Sequence, residues 1–454
     1  MSAGSAALAS ARVPAECRFR VAACALAVVA VLHGLVYVSF AGHRVGDTAS
    51  YVVAANALLR GSYTTPLPRI DVTGLKIPAS AVESPERQTY RTPGYPLLLA
   101  ATGGGGPGAP TDAIIAVQAL LMGLTTFVLI FVFRRLWSDR FALIAGAVTA
   151  LDPFTKHYVT RILSEVLAGF LVAVTAYAFV RAWQERSARW WAATGAAAAA
   201  LTLTRPLFVL AIPLLALAAL PRPRLLAALL AGSLLLLAPW LGWTTAATGR
   251  PTLSSFGEGW NLLLAAHGEG LHHTAVEVER SASYQRDFDS VHRFAPTAHE
   301  LRTDPDAHPH YLLKADSEQR RLATNRYLDR LRHEPWQVAW EVVYRSYFLW
   351  EAHEDWIQPG WLLPFLRALD WVTLALAIAG GWLAVRAGGS ARALAVFLLV
   401  FTFVNGLHHV EARYAMPVRG LYLALATLAL FQLWARHSPR TGRNTPARTI
   451  GGVT

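Results

Sequence analysis

Residues 21–40, VAACALAVVAVLHGLVYVSF, run for twenty positions without an Asp, Glu, Lys or Arg. A helix needs about 20 apolar residues to cross the hydrocarbon of a bilayer, so this stretch predicts a first membrane span. Residues 46–61, GDTASYVVAANALLRG, follow closely. They are too short and too polar to cross. Asp47 precedes the helical spacing Tyr51, Ala55, Leu58, and Gly61 ends it, a start and a stop signal. The pattern predicts a short helix on the membrane surface with Asp47 at its mouth.

Working outward, the whole chain has the same character. Of its 454 residues, 54% are hydrophobic and only 15% charged, against about 25% charged in soluble domains. Arg12, Arg18 and Arg20 precede the first run, and no small-residue cleavage site closes it. It reads as a retained helix rather than a removed signal peptide. Cys17 and Cys24 fall at its inner end and read as bland small residues. Further apolar segments lie at about 112–133, 141–151, 162–181, 190–203, 205–220, 225–246, 361–385, 393–406 and 415–434. The reading is an all-α polytopic membrane protein of about ten transmembrane helices. The short segments among them are poor lipid-facing spans and are expected inside the bundle or tilted into it.

A formal charge of +12 suggests nucleic acid, but its distribution argues against that partner. The six short loops and tails assigned inside hold 17 basic residues and three acids, the positive-inside pattern of a membrane protein. Residues 247–360 instead carry 17 acids against 12 basic residues. The expected organisation is an inner segment 1–20; a transmembrane module 21–246 whose first outer loop is 41–110; a small, mainly helical outer (periplasmic) subdomain 247–360; C-terminal helices 361–434; and an inner tail 435–454. In the first outer loop, Thr64 to Gln88 reads as irregular. Tyr90-Arg91-Thr92-Pro93-Gly94-Tyr95-Pro96 and the glycines of 103–106 forbid a continuous helix and mark a turn into a second short surface element.

No Gly-rich phosphate loop occurs on the inner side. Ionisable residues beside apolar helix ends are functional candidates, and the outer loops hold them: Asp47, Arg91, Asp152, Lys156, His157, Arg161, Glu165, Arg205, His408, His409, Glu411 and Arg413. All fall on one side of the membrane under this topology. Each also has a plain structural reading. Asp47 is a good N-cap, and Glu165 can pair with Arg161 one turn earlier. Arg205 can anchor a helix end, Arg91 can form a loop salt bridge, and Asp152-Pro153 is a turn. His408 and His409 point apart on a helix, which argues against a metal pair with Glu411. His272 and His273 read as solvated. Asp287-x-Asp289 and Asp304-x-Asp306 mimic nucleotide-sugar motifs on a face where nucleotide sugars are not expected. Trp260, Trp350 and Trp356 have the chemistry to stack on a sugar.

The pattern Gly46-Asp47-Thr48-x-x-Tyr51, with Leu58, Gly61 and Tyr63, resembles the first outer loop of the GT-C glycosyltransferases, which include the protein O-mannosyltransferases and the lipid A aminoarabinose transferases. Arg91-Thr92-Pro93-Gly94-Tyr95-Pro96, Ser164-Glu165, Thr204-Arg205-Pro206 and Glu411-x-Arg413-Tyr414-x-x-Pro417 resemble further elements of that family, in the same order. The resemblance covers about 40–240 and 360–430.

It implies a bacterial inner-membrane enzyme that moves a sugar from a polyprenyl-phosphate donor, with inversion, to a lipid, polysaccharide or protein acceptor on the outer face. Asp47 matches the family's catalytic carboxylate, and Glu165 is the best second one. A hydroxyl acceptor needs a base, and a phosphate leaving group needs fixed positive charge. Arg91, Arg161, Arg205, Arg413 and Lys156 are the candidates for that charge, and Tyr51, Tyr95 and Glu411 for acceptor or sugar contacts. A divalent metal is compatible with the pattern and not required by it. The alternative is a lipid-linked sugar transporter or flippase without catalysis. Spans nearly free of charge favour the enzyme.

Overall fold

The computed structural model describes residues 14–39, 47–66, 85–103, 111–269, 275–293, 295–304, 306–351 and 361–437. Gly46, residues 104–106, His272, His273, Pro305 and Trp356 lie outside these. The first half builds α1 (Ala15–Val36), α2 (Thr48–Leu59), α3 (Gly94–Ala101), α4 (Thr111–Leu136), α5 (Asp139–Leu151) and α6 (Pro153–His157). It continues with α7 (Glu165–Glu185), α8 (Ala188–Thr204), a 3₁₀ turn Pro206–Leu210 leading into α9 (Ala211–Ala219), and α10 (Pro223–Thr248). Part of the loop expected to be irregular is ordered as a two-stranded antiparallel ribbon, β1 (Thr64–Pro66) against β2 (Pro85–Arg87).

Among the described residues, seven helices are long and apolar enough to cross a membrane: α1, α4, α7, α10, α17 (Leu363–Ala387), α18 (Gly389–Gly406) and the stretch Ala412–His437, whose helical body is α19 (Arg419–His437). Side-chain pairs fix the two ends of the bundle. Arg134 binds Glu16 and Asp139, and Arg135 binds Gln184. The start of α1, the end of α4, the start of α5 and the end of α7 therefore share one basic end. His33 near the end of α1 meets Ala150 O near the end of α5, and Glu165 at the start of α7 meets Arg205 after α8. These mark the opposite end. The short segments α5, α8 and 206–219 each connect the two ends, so the described residues make about ten passes, as expected.

The short passes solve their length problem differently. The 13 residues of α5 reach only about 20 Å at 1.5 Å per residue. It lies against α1, α4 and α19 and still exposes Ile144, Val148 and Leu151, so it is not enclosed. By contrast, α8 shows no exposed large apolar side chain. It lies backbone to backbone with α10: a Cβ on Gly195 would run into Leu229 O, and one on Gly232 into Ala192 O. Small residues permit this approach, and dispersion then holds the pair where water cannot. Gly380 of α17 meets Leu425 O of α19 in the same way.

Between α10 and α17 lie α11 (Glu258–Ala266), α12 (Ala275–Arg280), α13 (Ala282–His292), α14 (Ala298–Thr303), α15 (Ala307–His333) and α16 (Pro335–Phe348). α15 is the long mixed helix read from residues 310–332. Its buried His308 reaches Glu86 of β2 at 2.5 Å, and Arg87 pairs with Asp306. These contacts tie the helical segment to the first loop.

Candidate active site

Asp47 stands at the N-cap position of α2, yet its side chain caps nothing in that helix. Its Oδ1 accepts from Arg91 Nη2 at 2.8 Å and its Oδ2 from Arg413 Nη1 at 2.9 Å. Arg91 Nε donates to Ser50 Oγ, which donates to Asp47 O. The Arg91 guanidinium lies 4.5 Å from the ring centres of both Tyr51 and Tyr90, within cation–π range of each. Gln88 Oε1 accepts the backbone N–H groups of Tyr90 and Arg91, and Tyr63 donates to Arg91 O. The turn is thus set before any ligand arrives. Burial pushes the Asp47 carboxyl upward, but the two guanidiniums outweigh it and hold it below its usual range.

Glu411-x-Arg413 supplies the second clamp. Arg413 places Nε 2.6 Å from Glu411 Oε2 and donates from Nη2 to Oε1 at 2.8 Å. One guanidinium therefore bridges two carboxylates. Beyond Glu411 stands His409, whose Nε2 is 3.8 Å from Glu411 and whose Nδ1 is 2.5 Å from Glu269. Its backbone N–H donates to Asn261 O, and Trp260 meets its ring edge-on at 5.6 Å. Burial alone would lower the His409 pKa. The hydrogen bond to Glu269 and the nearby Glu411 carboxylate overcome that and raise it to about 9. Burial likewise opposes the Glu411 charge, but His409 and Arg413 hold its pKa down at about 2.

The third part is the buried pair Glu165–Arg205, 2.6 Å apart. Pro206 bars a helical conformation at Arg205. The residue is extended, with φ −142° and ψ 109°, and turns away from α8. Gly94 packs tightly against the backbone at Leu203, where a Cβ would come within 2.7 Å of Leu203 O. The glycine of Arg91-Thr92-Pro93-Gly94 is what lets that turn meet the Arg205 turn. Glu165 pairs with Arg205, not with Arg161 as local spacing suggested. The ring of Tyr414 lies near both remaining arginines, 5.4 Å from Arg205 and 5.7 Å from Arg413. Glu165 Oε2 is buried and has no hydrogen-bond partner among the described residues.

Seven of the ten residues named from the sequence come together here: Asp47, Arg91, Glu165, Arg205, Glu411, Arg413 and Tyr51, the last touching Ser164 Oγ at 3.2 Å. Three stand differently. Tyr95 is fully enclosed and donates to Gln118. Lys156 is also fully enclosed. It donates to Thr149 O and Thr155 Oγ1 beside Asp152, which caps α6 and pairs with Arg419. Arg161 directs Nη2 at His157 Nε2, 3.1 Å away. Lys156, expected to join the phosphate set, is thus turned into the packing behind it.

Sequence reading named His409 among the candidates and set aside a metal pair with Glu411, but it passed over Glu269, because nothing local marks a glutamate 140 positions away as the partner of His409. Trp260 lies against His409, whereas Trp350 is buried flat against Tyr422. Asp287 of Asp287-x-Asp289 pairs with His267 and Arg326, a structural use. Among the described residues no group of three or more His, Cys, Asp or Glu side chains is placed to hold a metal, and both Asp47 oxygens face guanidiniums.

Comparison with known proteins agrees with this architecture. Residues 107–243 match the family model described as dolichyl-phosphate-mannose-protein mannosyltransferase. No curated protein matches the sequence. Among solved structures, the chain is similar to the archaeal oligosaccharyltransferase AglB from Archaeoglobus fulgidus, determined with an inhibitory peptide and a dolichol-phosphate: 12% identity, 93% of this chain and 52% of that one, TM-score 0.50. Another structure of the Archaeoglobus fulgidus oligosaccharyltransferase, tethered to an acceptor peptide, gives 12% identity, 91% and 50% coverage, and TM-score 0.45. ArnT from Cupriavidus metallidurans, bound to undecaprenyl phosphate, gives 15% identity, 90% and 78% coverage, and TM-score 0.37. The chain spans about half the length of the oligosaccharyltransferase chains it matches. The chain shares its polytopic helical fold with the AglB oligosaccharyltransferase, and residues 107–243 match the mannosyltransferase family model.

Proposed function

We propose that this protein transfers a sugar from a polyprenyl-phosphate donor to an acceptor hydroxyl on the outer face of a bacterial inner membrane, with inversion. The observation that carries the proposal is Asp47 held between Arg91 and Arg413 at the non-basic end of the bundle. The positive-inside distribution assigns the basic end to the cytoplasm, so the Asp47 end faces out. The AglB structure contains dolichol-phosphate, which supports a donor of that class here.

In this reading the arginines serve two states. Without donor they satisfy Asp47, Glu411 and Glu165. A lipid phosphate entering beside Arg91, Arg413 and Arg205 draws charge-assisted hydrogen bonds from the same forks, and Asp47 is loosened. The freed carboxylate becomes a better base because its guanidiniums now face the phosphate. Asp47 then accepts the proton of the acceptor hydroxyl as its oxygen forms the new bond to the anomeric carbon. The bond from that carbon to the phosphate oxygen breaks, and its electron pair leaves on the lipid phosphate, where the arginines stabilise the growing charge. Glu165 and Glu411 hold the arginine forks in place.

The test is Asp47→Asn in proteoliposomes given labelled polyprenyl-phosphate sugar and crude envelope acceptor. The wild type transfers label. The variant is expected to lose about 10²–10⁴-fold of the rate while retaining binding of polyprenyl phosphate. Wild-type rates in a folded Asp47→Asn protein would remove the assignment.

A further inference from the structure

The segment between α10 and α17 reads from composition as a water-facing subdomain, but α16 within it is built the other way round. Its sequence is PWQVAWEVVYRSYF, with Glu341 and Arg345 its only charged residues. Both are buried, at 4% and 2% exposure. Glu341 takes two hydrogen bonds from Arg330 of α15, and Arg345 donates to Gly406 O, to Tyr327 and to Glu269 O. The outward stripe is Trp336, Trp340 and Val343, exposed at 86%, 58% and 55%. These positions recur at i, i+4 and i+7, one face of a helix.

A surface helix in water turns its charges out and its indoles in. Here the protein interior takes the charges and the outside takes the tryptophans. We propose that α16 lies in the surface layer of the bilayer at the Asp47 end, with its Trp336–Trp340–Val343 face against lipid, and so anchors the 249–351 segment on the membrane. The surface is continuous with one that already faces lipid. Tyr347 at the end of α16 stacks flat on Trp371 of the span α17, centroids 4.1 Å apart. Trp371 is itself exposed, among Phe365, Leu369 and Val372. Arg345 and Ser346 hold α16 against the end of span α18 at Gly406, which sets it at the depth where a span leaves the hydrocarbon. Tryptophan is the side chain that favours this depth, because its ring is apolar and its N–H wants water or a headgroup. The inference is independent of the glycosyltransferase reading.

The test uses the full chain with Cys17→Ser and Cys24→Ser, reconstituted at one copy per disc in nanodiscs of phosphatidylcholine and phosphatidylglycerol. Nitroxide labels are placed singly through Val343→Cys and Trp340→Cys. Ile378→Cys on α17 gives the lipid reference and Glu300→Cys on α14 the water reference. Power saturation then compares collisions with oxygen and with a water-soluble nickel chelate. Labels at 340 and 343 are expected to favour oxygen, as at 378. Nickel access like that at 300 overturns the proposal. So does shielding from both reagents, which would mean that protein covers this face. Val343→Cys changes an exposed side chain slightly and leaves both tryptophans in place, so the proposal stays testable if Trp340→Cys folds poorly.

Discussion

Asp47 and Arg413 are 366 positions apart in the chain and 2.9 Å apart in the structure. This one hydrogen bond joins the first loop to the last membrane segment. Because Arg413 also holds Glu411, its guanidinium fixes two carboxylates with one planar fork. An ammonium has no such fork.

Arg413→Lys is therefore expected to keep the positive charge and lose the geometry. Transfer should fall at least about tenfold, equivalent to about 1.4 kcal/mol of transition-state stabilisation. Arg413→Gln should fall further. Donor-dependent kcat/KM of the two variants in proteoliposomes checks the order. Equal activity of Arg413→Lys and wild type would show that charge alone suffices.

Glu165 and Arg205 make a buried pair, and removing one partner strands the other. Glu165→Leu or Arg205→Met alone is expected to destabilise by about 3–5 kcal/mol, with the double variant recovering much of that loss. Thermal unfolding of the four proteins in nanodiscs measures the coupling. The double variant should remain inactive in transfer if the pair positions the site.

His409 gives the site a pH dependence whose sign is fixed. Its pKa in the fold, about 9, lies above the ordinary value of 6.5, so its stabilising contribution is complete below about 6.5 and is lost as pH rises through about 9. Glu411 is lowered from 4.5 to about 2, so its contribution is complete above about 4.5 and lost as pH falls through about 2. The His409–Glu411 link is strongest between those limits, near pH 4.5–6.5. Wild-type thermal stability should decline from pH 6.5 to 9, and His409→Gln should flatten that decline. A variant with an unchanged slope would separate His409 from the effect.

Lys156 tests the division between site and packing. Burial lowers its pKa to about 8, and its hydrogen bonds run to Thr149 and Thr155. Lys156→Met is expected to leave the donor KM within about twofold while costing about 1–3 kcal/mol of stability for the unmade bonds. A large rise in donor KM with stability intact would return this lysine to the phosphate set.

The sequence by itself determined the solvent of this protein. Apolar runs such as 21–40 and the clustering of arginine on alternate loops settle a polytopic helical bundle, because length and hydropathy act residue by residue. It also singled out Asp47, Arg91, Glu165, Arg205, Glu411 and Arg413 as candidates, since charged residues beside spans are costly to keep there. Only the tertiary structure decided who meets whom. Local spacing offered Glu165 to Arg161, and the fold gave it Arg205. An N-cap position offered Asp47 to its own helix, and two distant guanidiniums outcompete the backbone for it. Lys156, equally charged on paper, is folded inward against Thr149. In α16 the periodicity defines a charged edge and an aromatic edge but not which one faces out; that follows from Arg330, Tyr327 and Gly406, which collect its charges from the inside. Pairing of this kind depends on long-range approach, and no local pattern encodes the distance between residues 47 and 413.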